Sequence, residues 1–259
     1  MSLFRIEFHD GRTFYNLVTM ICKVTGSCQL MLSRDSMKIE SFNGLQTVAI
    51  RVWFNMDYIK DYFLNEEYES YVINFKSNSL PSKGSMKRND TLILSQDLEG
   101  KDIRVRVLSD SRTNEGGNSI FYNKEHPDID QIQLPDEEEF SRCKMKVDRL
   151  SDIFKHSGVG GTCKTIFTFY KEGLKIEMKD SERKTVWSSG ESYSGFFQTV
   201  EVKKNIIAEF AKLNTLHNES MCMITAYAGG GLLRIKLPVG CYATLEIYLM
   251  EDIKDDEEE

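Results

Sequence analysis

The chain is 259 residues long, enough for one large domain or two of about 130. It is 41% hydrophobic and 11% aromatic, so it can bury a core, and 33 basic against 40 acidic residues leave a net charge of −7. That balance excludes a generally basic nucleic-acid coat and restricts any DNA contact to a local basic patch on an acidic body. No segment nears the ~18 apolar residues that span a membrane. The opening residues Met1–Phe8 hold no run of signal-peptide length, so a soluble intracellular protein is expected and the sequons at Asn89 and Asn218 carry no weight.

In chain order, Phe14, Leu17, Val18 and Ile21 recur at helical spacing. Gln29–Arg34 then reads as a strand entering a tight hairpin at Asp35-Ser36. A second, short helix is expected over Ser79–Lys87, interrupted by Pro81 and Gly84. Asp102–Leu108 alternates like a strand, and Ser119–Asn123 reads as the last strand of this half. Asp110–Gly117 is polar and glycine-rich, and Lys124–Asp136 carries Pro127 and Pro135, two of only four prolines, which marks an inter-domain connector.

The same order then returns. Asp35-Ser-Met-Lys-Ile-Glu40 recurs 137 residues later as Glu172-Gly-Leu-Lys-Ile-Glu177. Ile166–Lys171 leads into a hairpin at Glu172-Gly173, and Leu150, Ile153 and Phe154 repeat the beginning of the helical stripe. Lys203–Asn214 reads as a helix burying Ile206, Ile207, Phe210 and Leu213, and Leu232–Leu237 as an alternating strand. Four elements in one order indicate an internal duplication. The expected class is α+β, with two similar domains of antiparallel sheet, each backed by two helices: 1–123, a connecting loop 124–136, and 137–259.

None of the six cysteines (22, 28, 143, 163, 222, 241) forms a Cys-x-x-Cys pair, and the four histidines are far apart, so neither a zinc site nor a disulfide framework is expected. Gly158–Gly161 follows a helix and lacks the Gly-Lys-Ser/Thr of a phosphate loop. Gly229–Gly231 reads as a hairpin turn, and the acidic run Asp136–Glu139 as a solvated loop. No nucleophile, metal cluster or cofactor site emerges, and the chain is expected not to be an enzyme.

The C-terminal run Leu245–Glu259, an aromatic-leucine strand passing into an isoleucine and an acidic tail, resembles the end of the eukaryotic and archaeal sliding clamps typified by proliferating cell nuclear antigen. Gly173–Glu177 resembles the second-domain hairpin of that family, and Ser36–Asn43 its first-domain counterpart. Ile132–Glu137 resembles the end of its connecting loop. The resemblance spans nearly the whole chain, is weakest between Asn55 and Lys87, and points to a divergent, viral or protist clamp. It implies a homotrimeric ring of six similar domains around duplex DNA, sheets outside and helices lining the hole, which tethers a polymerase and recruits replication and repair proteins. The nucleus, or a viral replication compartment, is the implied location.

A sliding ring needs a sequence-independent positive lining. The resemblance points to Lys23 on the first helix, Lys83, Lys87 and Arg88 at the second, Arg149 and Lys155 on the third, and Lys203, Lys204 and Lys212 on the fourth, with acidic residues largely outside. Polymerase, clamp loader and other partners would dock short hydrophobic-aromatic peptides in a pocket. Carried over residue by residue, that pocket takes Phe42, Leu45, Thr47, Ile132, Leu134, Leu232, Tyr248 and Met250. Leu232 stands where the family has proline, and Met250-Glu251-Asp252 replaces Ala-Pro-Lys. Subunits would join through sheet edges at Ser119–Asn123 (Ile120, Phe121, Tyr122) and Lys175–Ser181 (Ile176, Met178), with Ile153 and Phe154 packed behind. Two rivals stay open: a subunit of a heterotrimeric DNA-damage checkpoint ring, and a monomeric viral processivity subunit.

Overall fold

A computed structural model describes residues 2–44, 47–76, 80, 86–87, 89–100, 102–109, 118–121, 139–157, 164–171, 173–179, 184–189, 198–217, 219–228 and 231–251. The chain divides into two compact units. One draws on residues within 1–41, 51–132 and 238–245, the other on residues within 42–50, 133–237 and 246–259.

The first repeat runs β1 (Ser2–Phe8), α1 (Gly11–Thr25), β2 (Cys28–Ser33), β3 (Ser36–Phe42) and β4 (Val48–Phe54). It continues with β5 (Asp61–Leu64), β6 (Ser70–Phe75), β7 (Thr91–Asp97), β8 (Asp102–Leu108) and β9 (Asn118–Phe121). One antiparallel sheet has the order β5-β1-β7-β8-β9, and β2 pairs with both β3 and β6. Helix α1 begins where Asp10 accepts hydrogen bonds from the Thr13 backbone N–H at 3.0 Å and its hydroxyl at 2.7 Å. It ends at Gly26, whose φ of +85° suits glycine and whose N–H donates to the Cys22 carbonyl at 2.9 Å. The stripe Phe14, Leu17, Val18 and Ile21 is fully buried, each side chain worth roughly 1.5–3 kcal/mol. Phe8 stacks on Phe14 with ring centroids 4.1 Å apart, and Phe54 and Tyr242 stack nearby at 6.2 Å. The Asn55 N–H donates to the Tyr242 carbonyl at 2.7 Å, tying residues near the C-terminus into this first unit.

The second repeat runs β10 (Glu139–Lys146), α2 (Val147–Ser157), β11 (Lys164–Tyr170), β12 (Gly173–Lys179), β13 (Lys184–Ser189) and β14 (Gln198–Lys203). Helix α3 (Lys204–Glu209) passes into a 3-10 segment, Phe210–Thr215, followed by β15 (Met221–Tyr227), β16 (Leu232–Val239) and β17 (Ala243–Met250). One sheet has the order β13-β12-β11-β14; in the other, β15 lies between β10 and β16, and β17 follows β16. Leu150, Ile153 and Phe154 of α2 are buried, and Ser151 Oγ accepts from the Asn214 N–H at 2.9 Å, fastening the helix to the 3-10 segment.

The duplication is visible strand by strand. β1 pairs with β7 as β10 pairs with β15, β2 lies between β3 and β6 as β11 lies between β12 and β14, and β12 starts 137 residues after β3. Both hairpins close over two residues, between Ser33 and Ser36 and between Tyr170 and Gly173. The turns therefore lie one residue earlier than the sequence suggested, because Ser36 and Gly173 already pair across the ladder.

Two helix expectations are corrected. Leu80, Met86 and Lys87, the described residues of the expected helix Ser79–Lys87, are not helical, and its remaining residues lie outside the description. Lys203 is the last residue of β14, and the helix after it holds α geometry only to Glu209. Lys212, at φ −107°, breaks it, and Ile206 is half-buried where Ile207, Phe210 and Leu213 are buried. Among the described residues there are three α-helices, none long and apolar enough to cross a membrane. Cys22, Cys28, Cys143 and Cys222 are buried and Cys241 is exposed. Burial pushes the Cys222 thiol up to about 12.

At Gly11 the backbone N–H donates to the Asp90 carbonyl at 2.9 Å, and an added Cβ would stand 2.7 Å from Leu92 Cβ. Gly11→Ala should therefore destabilise the protein by roughly 1–3 kcal/mol through overpacking, although alanine favours helices. Urea unfolding of the pair checks it.

Candidate nucleic-acid and partner interfaces

The basic residues expected to meet DNA lie as follows. Lys23 is exposed in the last turn of α1, and Lys87 is exposed beside a backbone N–H that donates to Asp90 Oδ2 at 2.6 Å. Arg149 and Lys155 are exposed on α2, and Lys212 is exposed in the 3-10 segment that α2 packs against. The side chains of Lys203 and Lys204 lie outside the described set, as do Lys83 and Arg88 altogether. The cations of α2 are partly committed: Arg149 donates to the Ser188 carbonyl at 2.5 Å, and Lys155 pairs with Asp152 at 2.7 Å.

The expected peptide pocket is gathered in part. Phe42 closes β3 with its ring 46% exposed. The next residues turn tightly: Asn43 Oδ1 accepts from the Val48 N–H at 3.0 Å, and its Nδ2 donates to the Thr47 hydroxyl at 2.9 Å. The Thr47 carbonyl then accepts from the Met250 N–H at 2.9 Å, and Glu251 donates its N–H to the Gly231 carbonyl at 2.6 Å. These bonds bring Phe42, Thr47, Leu232 and Met250 into one neighbourhood. Leu232 and Tyr248 are buried. Leu45, Ile132 and Leu134 lie outside the described residues.

Glu246, two residues before Tyr248 on β17, is nearly buried, accepting from the Tyr248 hydroxyl at 2.9 Å and from Lys236 Nζ at 2.9 Å. Burial alone would raise the carboxyl, but the bonds from Lys236 and Tyr248 outweigh it and hold the group below its ordinary value. Tyr248 is pushed the other way, up to about 12, by burial and by the Glu246 carboxylate it serves.

The subunit-edge expectation is corrected on one side. β9 does end its sheet, so Ile120 and Phe121 lie on an edge strand, though their side chains and Tyr122 lie outside the description. β12, however, is flanked by β11 and β13. Lys175–Lys179 is thus an interior strand, and Ile176 and Met178 are buried core residues with no free edge to offer. Among the described residues the sheet ends on that side at β13, which pairs antiparallel with β12. It presents Val186 at 46% exposure, while Ile153 and Phe154 are buried in α2. Helix α2 meets this edge strand at two adjacent residues, through Arg149 on the Ser188 carbonyl and through His156, whose ring lies 5.8 Å from Trp187.

A sheet face of the second repeat carries basic residues. Along β10 the side chains alternate, with Cys143 and Met145 buried and Arg142, Lys144 and Lys146 exposed. Their cross-strand partners are Thr225, Met223 and Met221, and on the far side of β15 the register brings in Arg234 and Lys236 of β16. The strict period of two in Arg142–Lys146 and Arg234–Lys236 was the available signal. Among the described residues no group of three His, Cys, Asp or Glu side chains is arranged to hold a metal ion.

Tyr248→Phe should cost roughly 1.5–3 kcal/mol, the worth of a hydrogen bond to a charged group. It should also let the Glu246 carboxyl rise toward its ordinary value. A depressed carboxyl stabilises above its unfolded value and loses that contribution as pH falls through the folded one. Acid unfolding of the variant, followed by circular dichroism, should therefore begin at higher pH than in the parent.

No protein-family model and no curated protein sequence matches the chain. Among solved structures it is similar to Proliferating Cellular Nuclear Antigen from Entamoeba histolytica, with a TM-score of 0.80 at 14% sequence identity, over 97% of this chain and 100% of that one. A likeness at that identity is one of fold, and it is continuous from end to end. The chain has the fold of proliferating cell nuclear antigen, the sliding-clamp architecture that its duplicated hairpins implied.

Proposed function

We propose that this chain is the subunit of a DNA sliding clamp: three copies close into a ring around duplex DNA and hold a polymerase on its template. The observation that carries the reading is the end-to-end likeness to a proliferating cell nuclear antigen. The free edges of β9 and β13 support a head-to-tail closure in which each subunit offers both. In this reading 1–123 and 137–259 are the two clamp domains and 124–136 their connecting loop.

The DNA-facing set is Lys23, Lys83, Lys87, Arg88, Arg149, Lys155, Lys203, Lys204 and Lys212, which attract phosphates without reading bases. The neighbourhood of Phe42, Thr47, Leu232, Tyr248 and Met250, completed by Leu45, Ile132 and Leu134, receives the aromatic and aliphatic anchors of replication and repair partners, the loader among them. The clamp makes and breaks no bond itself. It works in the nucleus, or in a viral replication compartment if the chain is viral. A heterotrimeric checkpoint ring and a monomeric processivity subunit are the competing assemblies.

Light scattering across a dilution series separates them. A homotrimer gives a mass near three times 29.9 kDa that persists on dilution, and a persistent monomer overturns it. Val186→Asp, placing a charge on the β13 edge, should reduce that mass to one subunit without altering the circular dichroism. Replacing Lys155 and Lys212 with alanine should weaken duplex binding and flatten its dependence on salt, the slope falling by about 0.9 for each phosphate no longer neutralised. Binding titrations at several ionic strengths read this directly.

A further inference from the structure

Two thiols of the first unit meet inside the fold. Cys22 stands in the last turn of α1 and Cys28 opens β2, with five residues between them. Both are buried, at 3% and 0% exposure. Hydrogen bonds hold the turn that joins them. The Gly26 N–H donates to the Cys22 carbonyl at 2.9 Å, the Thr25 hydroxyl to the Ile21 carbonyl at 2.8 Å, and the Ser41 hydroxyl to the Ser27 carbonyl at 2.6 Å. That turn brings both side chains to one place, the end of the β2–β6 ladder. Phe75 is the cross-strand partner of Cys28, and its carbonyl accepts from the Cys22 thiol at 3.5 Å. The two thiols are also hydrogen-bonded to each other.

The contact treats the two sulfurs unequally. The Cys28 thiol donates to the Cys22 sulfur and holds Cys22 below its ordinary value, against the opposing effect of burial. Burial pushes Cys28 well above its own, and the Cys22 sulfur beside it adds to the rise. A thiol that ionises readily next to one that stays protonated is the arrangement of an attacking and a resolving cysteine. The buried thiols of the second repeat are set differently. Cys143 lies opposite Ile224 and Cys222 opposite Met145, so the two are offset along their strands, and the Cys222 thiol donates to the Met145 carbonyl at 3.2 Å.

We propose that Cys22 and Cys28 are a peroxide-oxidisable pair that closes into a reversible intramolecular disulfide. When the last turn of α1 opens locally, the Cys22 thiolate attacks one oxygen of hydrogen peroxide, forming a sulfenic acid and releasing hydroxide. The Cys28 sulfur then displaces the sulfenic hydroxyl, which leaves with the Cys28 proton as water. Two thiols and one peroxide become one disulfide and two waters, and a dithiol reductant reverses the step by exchange. The bridge closes a short loop, so it constrains the unfolded chain less than a long-range bridge would. What it fixes is the end of α1 against the start of β2, and with it Lys23, the exposed residue after Cys22. This inference is independent of ring closure and of DNA.

Tryptic mass spectrometry tests it, because cleavage after Arg12, Lys23 and Arg34 places the two cysteines in separate peptides, Thr13–Lys23 and Val24–Arg34. The whole chain with Cys241→Ser, which removes the exposed thiol, is treated with hydrogen peroxide, alkylated in urea and digested without reductant. The two peptides should be recovered joined, two hydrogens lighter than their sum, and dithiothreitol should part them. Peptides holding Cys143 and Cys222 should be recovered alkylated. In Cys28→Ser the bridge cannot close and dimedone should label Cys22, whereas in Cys22→Ser it should leave Cys28 unlabelled. Circular dichroism checks that both variants fold, and the peptide measurement stands without them. Peptides still unjoined at a peroxide dose that oxidises the exposed Met221 overturn the proposal. So does joining that appears only together with loss of the Cys143 and Cys222 thiols, which would mean global unfolding, and so does a bridge from either cysteine to Cys163.

Discussion

In each repeat the first strand made is paired with one that arrives late: β1 waits for β7, and β10 waits for β15. More than 70 residues separate the members of each pair, so the chain must close a long loop before the sheet gains anything. What offsets that entropy is apolar burial by the elements in between. Phe14, Leu17 and Ile21 of α1, and Leu150, Ile153 and Phe154 of α2, are each buried against their own repeat. The long-range pairing therefore fixes the rest. It sets which strand ends each sheet, which face each helix covers, and which face remains open to charge.

The close approach at Gly11 belongs to the same constraint. The first turn of α1 sits directly on β7, with the Gly11 N–H bonded to Asp90 and no room for a side chain beside Leu92. Helix entry and long-range strand pairing meet at one residue, which gives the helix a fixed position over the sheet. In the second repeat the comparable anchoring is polar, through Ser151 and Asn214. The two repeats share topology while securing their helices by different chemistry, which is why the duplication is clear in strand order and faint in residue identity.

Much of the fold was legible because it is written in short periods. The helical stripe at Phe14–Ile21, the hairpin copies at Asp35 and Glu172 and the alternating strands at Asp102 and Leu232 all bury the residues their spacing marked. What was not legible depended on strand order. Nothing local distinguishes Lys175–Lys179, an interior strand, from Lys184–Ser189, the edge, since both carry lysines and apolar residues. Only the pairing of β12 with both neighbours decides it. The helix after β14 was overextended because Phe210 and Leu213 keep helical spacing through a 3-10 segment. At the candidate sites, the Thr47–Met250 contact joins residues about 200 positions apart and has no trace in local pattern. The basic face was visible as alternation, but its meaning needed β10 and β16 to be brought onto opposite sides of β15.

The burial of the thiols gives the protein a built-in clock. Cys241 stands in the exposed turn before β17, whereas Cys22, Cys28, Cys143 and Cys222 are shut inside. Of these five described cysteines, a thiol reagent meets Cys241 in the native state and meets Cys22, Cys28, Cys143 and Cys222 only when the structure opens. Cys22 and Cys28 lie in the first repeat, and Cys143 and Cys222 on the paired strands β10 and β15 of the second. The order in which these sites are alkylated under native conditions therefore reports which repeat loosens first, without a label having to be engineered into either.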